Sequence, residues 1–341
     1  MNKYMSIIIP YHNEDKELFR PLLSSLDTQI GIDFNEIEII ITNNSPHEEI
    51  KNLDDLFIEY ENIYPFIRYE ECPYKSSMGP NREYGMSLAI GTYIMFCDFD
   101  DVLYSPLSLY TIFNSLTDDY DMYDFYAIKE LDPRDKQERY GDSIFEINRT
   151  NPVLLHGKVY RRQYLIDKNI HFCHKLFAWE DMYFNQLIEQ NKPRRIEKPV
   201  SVYIWKFRQS SVSKEMGPEI VYQTKHWKDG ILKNYYIFEY LKRYNTLSNK
   251  EFSELFINTV ANWYLDPSDT YMNPTGVEEI YGYIIKTFDP ELKYLVKKKK
   301  YPYKSPTRPE SFEEYVLRLI KNIDLEKINQ KYNIGHFDDK E

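Results

Sequence analysis

The sequence predicts an α/β fold, a mostly parallel sheet flanked by helices, and three observations carry that prediction. Over roughly the first hundred residues, strand-length apolar runs (5–10, 36–42, 67–71 and 93–97) alternate with stretches of helical spacing. That alternation implies right-handed crossovers onto a parallel sheet. The run Tyr93-Ile-Met-Phe-Cys97 is apolar throughout, the mark of an inner strand covered on both faces. Three of the runs end in polar clusters, the last in Asp98, Asp100 and Asp101, and open α/β sheets gather their ligands at strand ends of this kind.

The elements follow in order. The strand over 5–10 stops at Pro10, and Tyr11-His-Asn-Glu14 forms a polar loop. Leu18, Leu22, Leu23 and Leu26 mark an amphipathic helix over 17–30. Pro21 is tolerable only in its first turn, and Gly31 closes it. The strand over 36–42 leads to Asn43-Asn-Ser-Pro46, followed by a helix over 53–60 and a short strand over 67–71. Gly79-Pro-Asn-Arg82 opens a helix, with Pro80 suited to the first helical position, and Gly91 ends it before the central strand. Beyond come a helix over 106–115, a strand over 120–131 and a charged loop over 132–149. His156-Gly-Lys-Val-Tyr-Arg-Arg162 leads into a helix through Ile166; a helix over 177–189 and a strand over 199–207 complete this part. After Lys214 the pattern changes, and 226–244, 250–264, 277–287 and 311–323 all read as helices. The expected division is one domain over 1–214 and a helical region over 215–341.

A chain of 341 residues with 42% hydrophobic content can bury a sizeable core. Its net charge of -11 argues against a general nucleic-acid binder, while a local basic groove stays compatible with it. No apolar run has membrane-spanning length and no leader-like segment opens the chain, so a soluble, cytoplasmic protein is expected. Cys72, Cys97 and Cys173 fit neither a zinc spacing nor a disulfide framework and read as buried thiols. No Gly-x-Gly-x-x-Gly or Gly-Lys-Ser/Thr follows a strand, which excludes dinucleotide and Walker-type phosphate loops. The 32 tyrosines suit a sugar- or base-binding surface, and a compositional bias explains them equally well.

Strand alternation puts Asp98 and Asp100 on one side and Phe99 on the other. Two same-facing carboxylates at a strand end make a hard-oxygen site for Mn²⁺ or Mg²⁺, ions that also take phosphate oxygens. The plainer alternative is a polar turn in which Asp caps the next segment.

Taken together, the N-terminal two-thirds resembles the family 2 glycosyltransferases, which have the GT-A fold. Five segments carry the resemblance, in the family's order, over residues 5–214. They are Ser6-Ile-Ile-Ile-Pro-Tyr-His-Asn-Glu14, then Glu38-Ile-Ile-Ile-Thr-Asn-Asn-Ser45, then Arg82-Glu-Tyr-Gly85 with Ala89-Ile-Gly91, then Tyr93 to Asp101. The fifth joins Gly157-Lys-Val-Tyr160, Phe172, Trp179-Glu-Asp181, Tyr203 and Ser211-Val-Ser213. The resemblance implies an inverting, metal-dependent transfer of a hexose or N-acetylhexosamine from a nucleotide-diphosphate sugar, most readily a UDP-sugar, to an acceptor hydroxyl. It divides the domain into a nucleotide-binding half, 1–105, and an acceptor half, 106–214.

The implied roles fall on particular residues. Pro10, Tyr11, Asn13 and Glu14 would hold base and ribose, with Tyr11 stacking on the base. Asp98 would contact the ribose or metal-bound water, and Asp100 would bind the metal directly, with Asp101 capping the next helix. Arg82 would sit near the diphosphate or fix the metal carboxylates. Lys206, Arg208, Ser211 and Ser213 would close over the diphosphate. Asp181 is the implied general base; it falls in a helix's first turn, where the dipole favours an ionised carboxylate, and Glu180 points about 100° away. Where the family carries an acidic pair after the second strand, this chain has Thr42 and Asn43, which can still hydrogen-bond a base edge. The family's Arg-Asn is Arg82-Glu83 here.

Three alternatives stay open. One is a catalytically silent nucleotide-sugar-binding module. Another is transfer to a modified nucleic-acid base. The third, a nucleotidyltransferase, lacks its basic glycine-rich loop here. The run Lys297–Lys300 beside Tyr301 and Tyr303 suits an anionic polymer or a solvated surface, and the helical region suits self-association into a homo-oligomer.

Overall fold

The protein is described by a computed structural model covering residues 5–12, 15–45, 53–74, 77–131, 145–148, 154–208, 219–265, 274–296, 305 and 308–336. It divides into two compact units. One holds residues 1–172 and 180–211, and the other holds 173–179 and 212–340.

The first unit is built on a nine-stranded sheet. Strands β1 (Met5–Tyr11), β2 (Ile37–Asn43), β3 (Ile67–Glu71) and β4 (Tyr93–Phe96) lie parallel in the order β3-β2-β1-β4. The order continues from β4 through β8 (Lys158–Arg161), β6 (Met122–Glu130) and β9 (Arg195–Trp205) to β5 (Val102–Leu103). Here β8 runs antiparallel to both β4 and β6, while β9 is parallel to β6. The sheet is therefore mixed, with a parallel half carrying the predicted crossovers and a second half that is largely antiparallel.

Helices α1 (Arg20–Asp27), α2 (Asp54–Phe57), α3 (Met78–Leu88), α4 (Ser108–Ser115), α5 (Arg162–Asp167) and α6 (Glu180–Gln190) flank it. Pro21 falls in the first turn of α1, where its missing N–H removes no helical bond. Leu22, Leu23 and Leu26 are fully buried in the core cluster that also holds Ile7, Ile9, Ile39 and Ile41, each contributing about 1.5–3 kcal/mol; Leu18 is exposed.

The local differences from expectation have physical reasons. Strand β1 continues through Pro10, because β4 pairs β1 only as far as Ile8 and the proline has no ladder bond to lose on that side. The charged stretch 132–149 contains β7 (Phe145–Asn148), a short strand whose partner is the distant edge of β6. The stretch leading to Ile166 is a strand, β8, before it becomes α5.

One buried cluster sets where β4 begins. Ser6 Oγ donates to Glu38 Oε1, and the Ile90 and Gly91 N–H groups donate to the same oxygen at 2.8 and 3.2 Å. A Cβ on Gly91 would lie 2.6 Å from the Ser6 nitrogen, so only glycine fits there.

The second unit is helical: α7 (Glu219–Arg243), α8 (Asn249–Leu265), α9 (Pro274–Phe288), α10 (Phe312–Ile320) and α11 (Leu325–Tyr332). Phe238 packs on Phe252, Phe256 and Phe288, and Trp263 stacks on Tyr281 at 4.1 Å. Many tyrosines are core residues rather than a binding surface: Tyr236, Tyr240, Tyr264, Tyr281 and Tyr315 are at most 2% exposed. The three cysteines are free and buried. Among the described residues no helix is long and apolar enough to cross a membrane. The lysine run 297–300 lies outside the described residues.

Candidate active site

Arg82, in the first turns of α3, is the joint of the site. Its Nη2 donates to Asp98 Oδ1 at 2.7 Å and its Nη1 to Glu180 Oε1 at 2.8 Å. One guanidinium fork therefore ties the end of β4 to the start of α6. Of the two placements expected for Arg82, this is the one that fixes carboxylates. Burial pushes Asp98 up, but Arg82 and His156 outweigh it and hold its carboxyl well below the ordinary range. The neighbouring Glu83 turns away and accepts the Phe172 N–H at 3.0 Å.

The Asp98–Asp101 turn is strapped to β9. The Asp98 N–H donates to the Tyr203 hydroxyl oxygen (3.0 Å), whose own O–H donates to Asp101 Oδ2 (2.6 Å). Asp101 Oδ1 accepts the Lys206 N–H at 2.8 Å. The expectation that Asp101 caps the next helix is thus corrected: its two oxygens hold β9, and it is 1% exposed. Asp100 forms an ion pair with Arg208 Nε at 3.1 Å, and the Arg208 guanidinium lies over the Phe99 ring. Burial raises the Asp100 pKa, and Arg208 offsets part of that rise.

His156 is a member of the site that sequence reasoning left without a role. Its ring stacks on Tyr203 (5.2 Å, 14°) and leans on Trp205 (5.0 Å). Its Nε2 lies 3.4 Å from Asp98 and 3.6 Å from Asp101. Burial opposes the charged ring, but the two carboxylates prevail and raise its pKa.

The ends of β1 and β2 differ from expectation. The Tyr11 ring is fully buried between Phe19 and Phe99 and has no face to offer a base; Pro10 is buried as well. Thr42 Oγ1 donates to the Asn81 carbonyl at 3.1 Å, and Asn43 Nδ2 to the Tyr69 hydroxyl at 2.6 Å. Asn43 Oδ1 accepts the Ser45 N–H. These side chains fasten strands and loops together, so the expected base-edge contacts of Thr42 and Asn43 are not supported. Asn13, Glu14 and Ser211 lie outside the described residues.

At the start of α6, Glu180 is committed to Arg82, while half-buried Asp181 accepts the N–H of its neighbour Met182 at 2.6 Å. Burial, then the Asp181 charge, pushes Glu180 up to about 7. Burial likewise raises Asp181, against the pull of Arg82. The turn is anchored from β8: Asn185 Nδ2 donates to the Asp181 carbonyl (3.0 Å), and Asn185 Oδ1 accepts from Lys158 Nζ and the Tyr160 hydroxyl, both at 3.0 Å.

Oxygen ligands from Asp98 and Asp101 and a His156 nitrogen lie within 4.8 Å of one another. That spacing and those donors fit a divalent ion with bonds of about 2.1 Å. Asp101 is buried and doubly engaged, whereas Asp98 and Asp100 keep part of their carboxylates exposed (28% and 19%). The group that fits is Asp98, Asp101 and His156, while the expected ligand Asp100 is paired with Arg208.

A curled mixed sheet with flanking helices, carrying a carboxylate cluster at the end of its central strand, is a GT-A glycosyltransferase fold. The chain belongs to glycosyl transferase family 2, whose model matches residues 6–186, and the protein is accordingly a glycosyltransferase. Its structure is similar to that of S. aureus TarS 1-349 in complex with UDP-GlcNAc, with a TM-score of 0.63 at 14% identity, covering 98% of this chain and 93% of that one. The same TarS fragment in complex with UDP gives a TM-score of 0.61 at 14% identity over the same shares. Against S. aureus TarS without that truncation the TM-score is 0.54 at 14% identity, covering 84% of this chain and 48% of that one. At such identities the likeness is one of fold. No curated protein matches the sequence.

Proposed function

We propose that the protein transfers a sugar from a UDP-sugar to an acceptor hydroxyl on a glycan, cell-wall polymer or other polymer, with inversion at the anomeric carbon. The observation that carries this reading is the Asp98–Arg82–Glu180 bridge, which joins the strand-end carboxylates to the helix turn bearing Asp181. In this reading Asp181 removes the acceptor proton as the hydroxyl attacks. Glu180, neutralised by Arg82, keeps a second free charge away from it. In this reading Arg208, which pairs with Asp100, and Lys206 on the same segment meet the diphosphate. Mn²⁺ or Mg²⁺ held by Asp98, Asp101 and His156 would supply charge stabilisation to the departing diphosphate. The TarS complexes with UDP and UDP-GlcNAc support a uridine donor. Residues 1–214 form the catalytic part in this proposal, and 215–341 a helical region.

Calorimetric titration with UDP, GDP, CDP and dTDP, each with Mn²⁺ and with EDTA, tests the donor. UDP should bind, and only with metal; Asp98→Ala should abolish the metal dependence. Equal UDP affinity in EDTA would remove the metal from this account.

A further inference from the structure

We infer that Lys158, a lysine buried beneath α6, is a positioning residue for Asp181 and acts on it through the Asn185 side chain, an inference that rests on Asp181 being the base. Every group involved belongs to the first unit. Lys158 and Tyr160 stand two apart on β8, so their side chains share one face of the sheet. Val159, between them, joins the core cluster on the other face. Lys158 Nζ and the Tyr160 hydroxyl both donate to Asn185 Oδ1, each at 3.0 Å. Asn185 Nδ2 in turn donates to the Asp181 carbonyl at 3.0 Å. Asn185 lies about one helical turn beyond Asp181, so these bonds tie the first turn of α6 to the sheet.

The direction of these bonds gives Lys158 its role. An ammonium carries donors only, so the Asn185 oxygen has to face Lys158 and the amide nitrogen has to face the Asp181 carbonyl. The Tyr160 hydroxyl can donate or accept and does not fix the amide by itself. Without Lys158 the amide is free to turn over and set its oxygen against that carbonyl. Lys158 is 2% exposed, and a lysine is rarely buried so far unless it is paired. Its counter-charge is Asp124, directly opposite on β6 and buried. Asp124 also accepts from Arg195 Nε, and Arg195 Nη1 donates to Glu189 Oε1 at 2.6 Å. The sheet thus grips α6 near both ends, and Lys158 holds the end that bears Asp181. Burial lowers the Lys158 pKa to about 8, with Asp124 and, more weakly, Asp181 acting against that fall. The same attraction favours the ionised form of Asp181.

The test uses the full chain with Lys158→Met, which keeps the stem and loses the donor, and Asn185→Asp, which keeps the acceptor and loses the amide N–H. Asp181→Asn is the reference. Four quantities are read: UDP affinity with Mn²⁺, kcat and KM for UDP release from UDP-N-acetylglucosamine, the pH dependence of that kcat, and hydrogen exchange over residues 181–187. Lys158→Met should leave UDP affinity and KM unchanged and lower kcat about tenfold or more, because small misplacements of a reacting group are costly. It should speed exchange over 181–187 but not in α1. The acid limb of kcat should move to higher pH, since losing a nearby cation raises the pKa of a carboxylate. Asn185→Asp should lower kcat and shift the limb the same way, because it sets a second carboxylate beside Asp181. Its new charge is met by Lys158, so this variant stays informative if Lys158→Met fails to fold. A folded Lys158→Met enzyme with wild-type kcat and acid limb would overturn the inference, even if its melting temperature fell, as would wild-type kcat in Asn185→Asp. Wild-type turnover in Asp181→Asn would instead remove the base assignment, and the exchange data would still judge whether Lys158 holds the turn.

Discussion

Asp181 and Glu180 are neighbours in one helical turn, yet it is Glu180 that takes a prong of the Arg82 guanidinium, whose other prong holds Asp98. Arg82 takes Glu180 and leaves Asp181 at the opening of α6, with a pKa raised by burial. Asp181→Asn is therefore expected to keep UDP binding and lower turnover by about 10²-fold or more. The wild-type rate should fall on the acid side along a limb above 3.8, the ordinary Asp value; a pH–kcat profile flat down to that value would exclude Asp181 as the titrating base. Arg82→Ala strands two buried carboxylates and should cost about 3–5 kcal/mol in urea unfolding. Arg82→Lys, a single point charge, should recover only part of that; full recovery would show that the two-pronged geometry is unimportant. At this scale the sequence displayed the acids but not their partners. Asp98 and Asp100 were legible as acids just beyond a strand, but β4 stops at Phe96 and the Asp101 N–H bonds back to the Asp98 carbonyl, so turn geometry rather than strand alternation sets where they point. The burial of Tyr11, Thr42 and Asn43 was not, since it depends on Phe19, Phe99, Asn81 and Tyr69 arriving from other elements. His156 gave no periodic signal, standing 58 residues from the Asp98 it faces.

Strands β4 and β9 are chemically one piece at their ends, because the Tyr203 hydroxyl serves the Asp98 N–H and Asp101 at once. Tyr203→Phe removes both contacts inside a fully buried site and should destabilise the protein by about 1–3 kcal/mol. It should also weaken metal-dependent UDP binding, since the carboxylate turn loses its strap; calorimetry showing wild-type affinity would confine Tyr203 to stability. The elements of the parallel half were legible from apolar runs and their punctuation. Those of the other half were less so: β5 is two residues long, and β7 is defined by pairing with β6 rather than by its own four residues. A short strand becomes one only when its neighbour supplies the ladder.

For the whole molecule, stability depends on pH from two sides, through burial at Glu180 and through the Arg82 and His156 charges at Asp98. The folded pKa of Glu180, about 7, lies above the ordinary 4.5, so the stability it contributes is present below pH 4.5 and is lost as the pH rises to about 7. Asp98 lies below the ordinary 3.8, so its contribution is present above that value and is lost as the pH falls through its depressed pKa. Glu180→Gln should flatten the decline in melting temperature between pH 4.5 and 7; an unchanged slope would show that Glu180 does not carry it. The α/β and helical parts were both visible in the sequence as a change of periodicity near Lys214. What periodicity could not reveal is that residues 173–179 group with the helices, because that assignment lies in Asp229, Gly230 and Lys233, more than forty residues downstream. The chain crosses between the units at Phe172, returns at Glu180 and crosses again after Ser211. In terms of gene architecture, the helical unit is thus not a detachable cassette. A recombination event that swapped the coding region downstream of Ser211 would leave seven residues of the old unit embedded in the transferase, so exchange between relatives succeeds only where that short internal stretch travels with its helices.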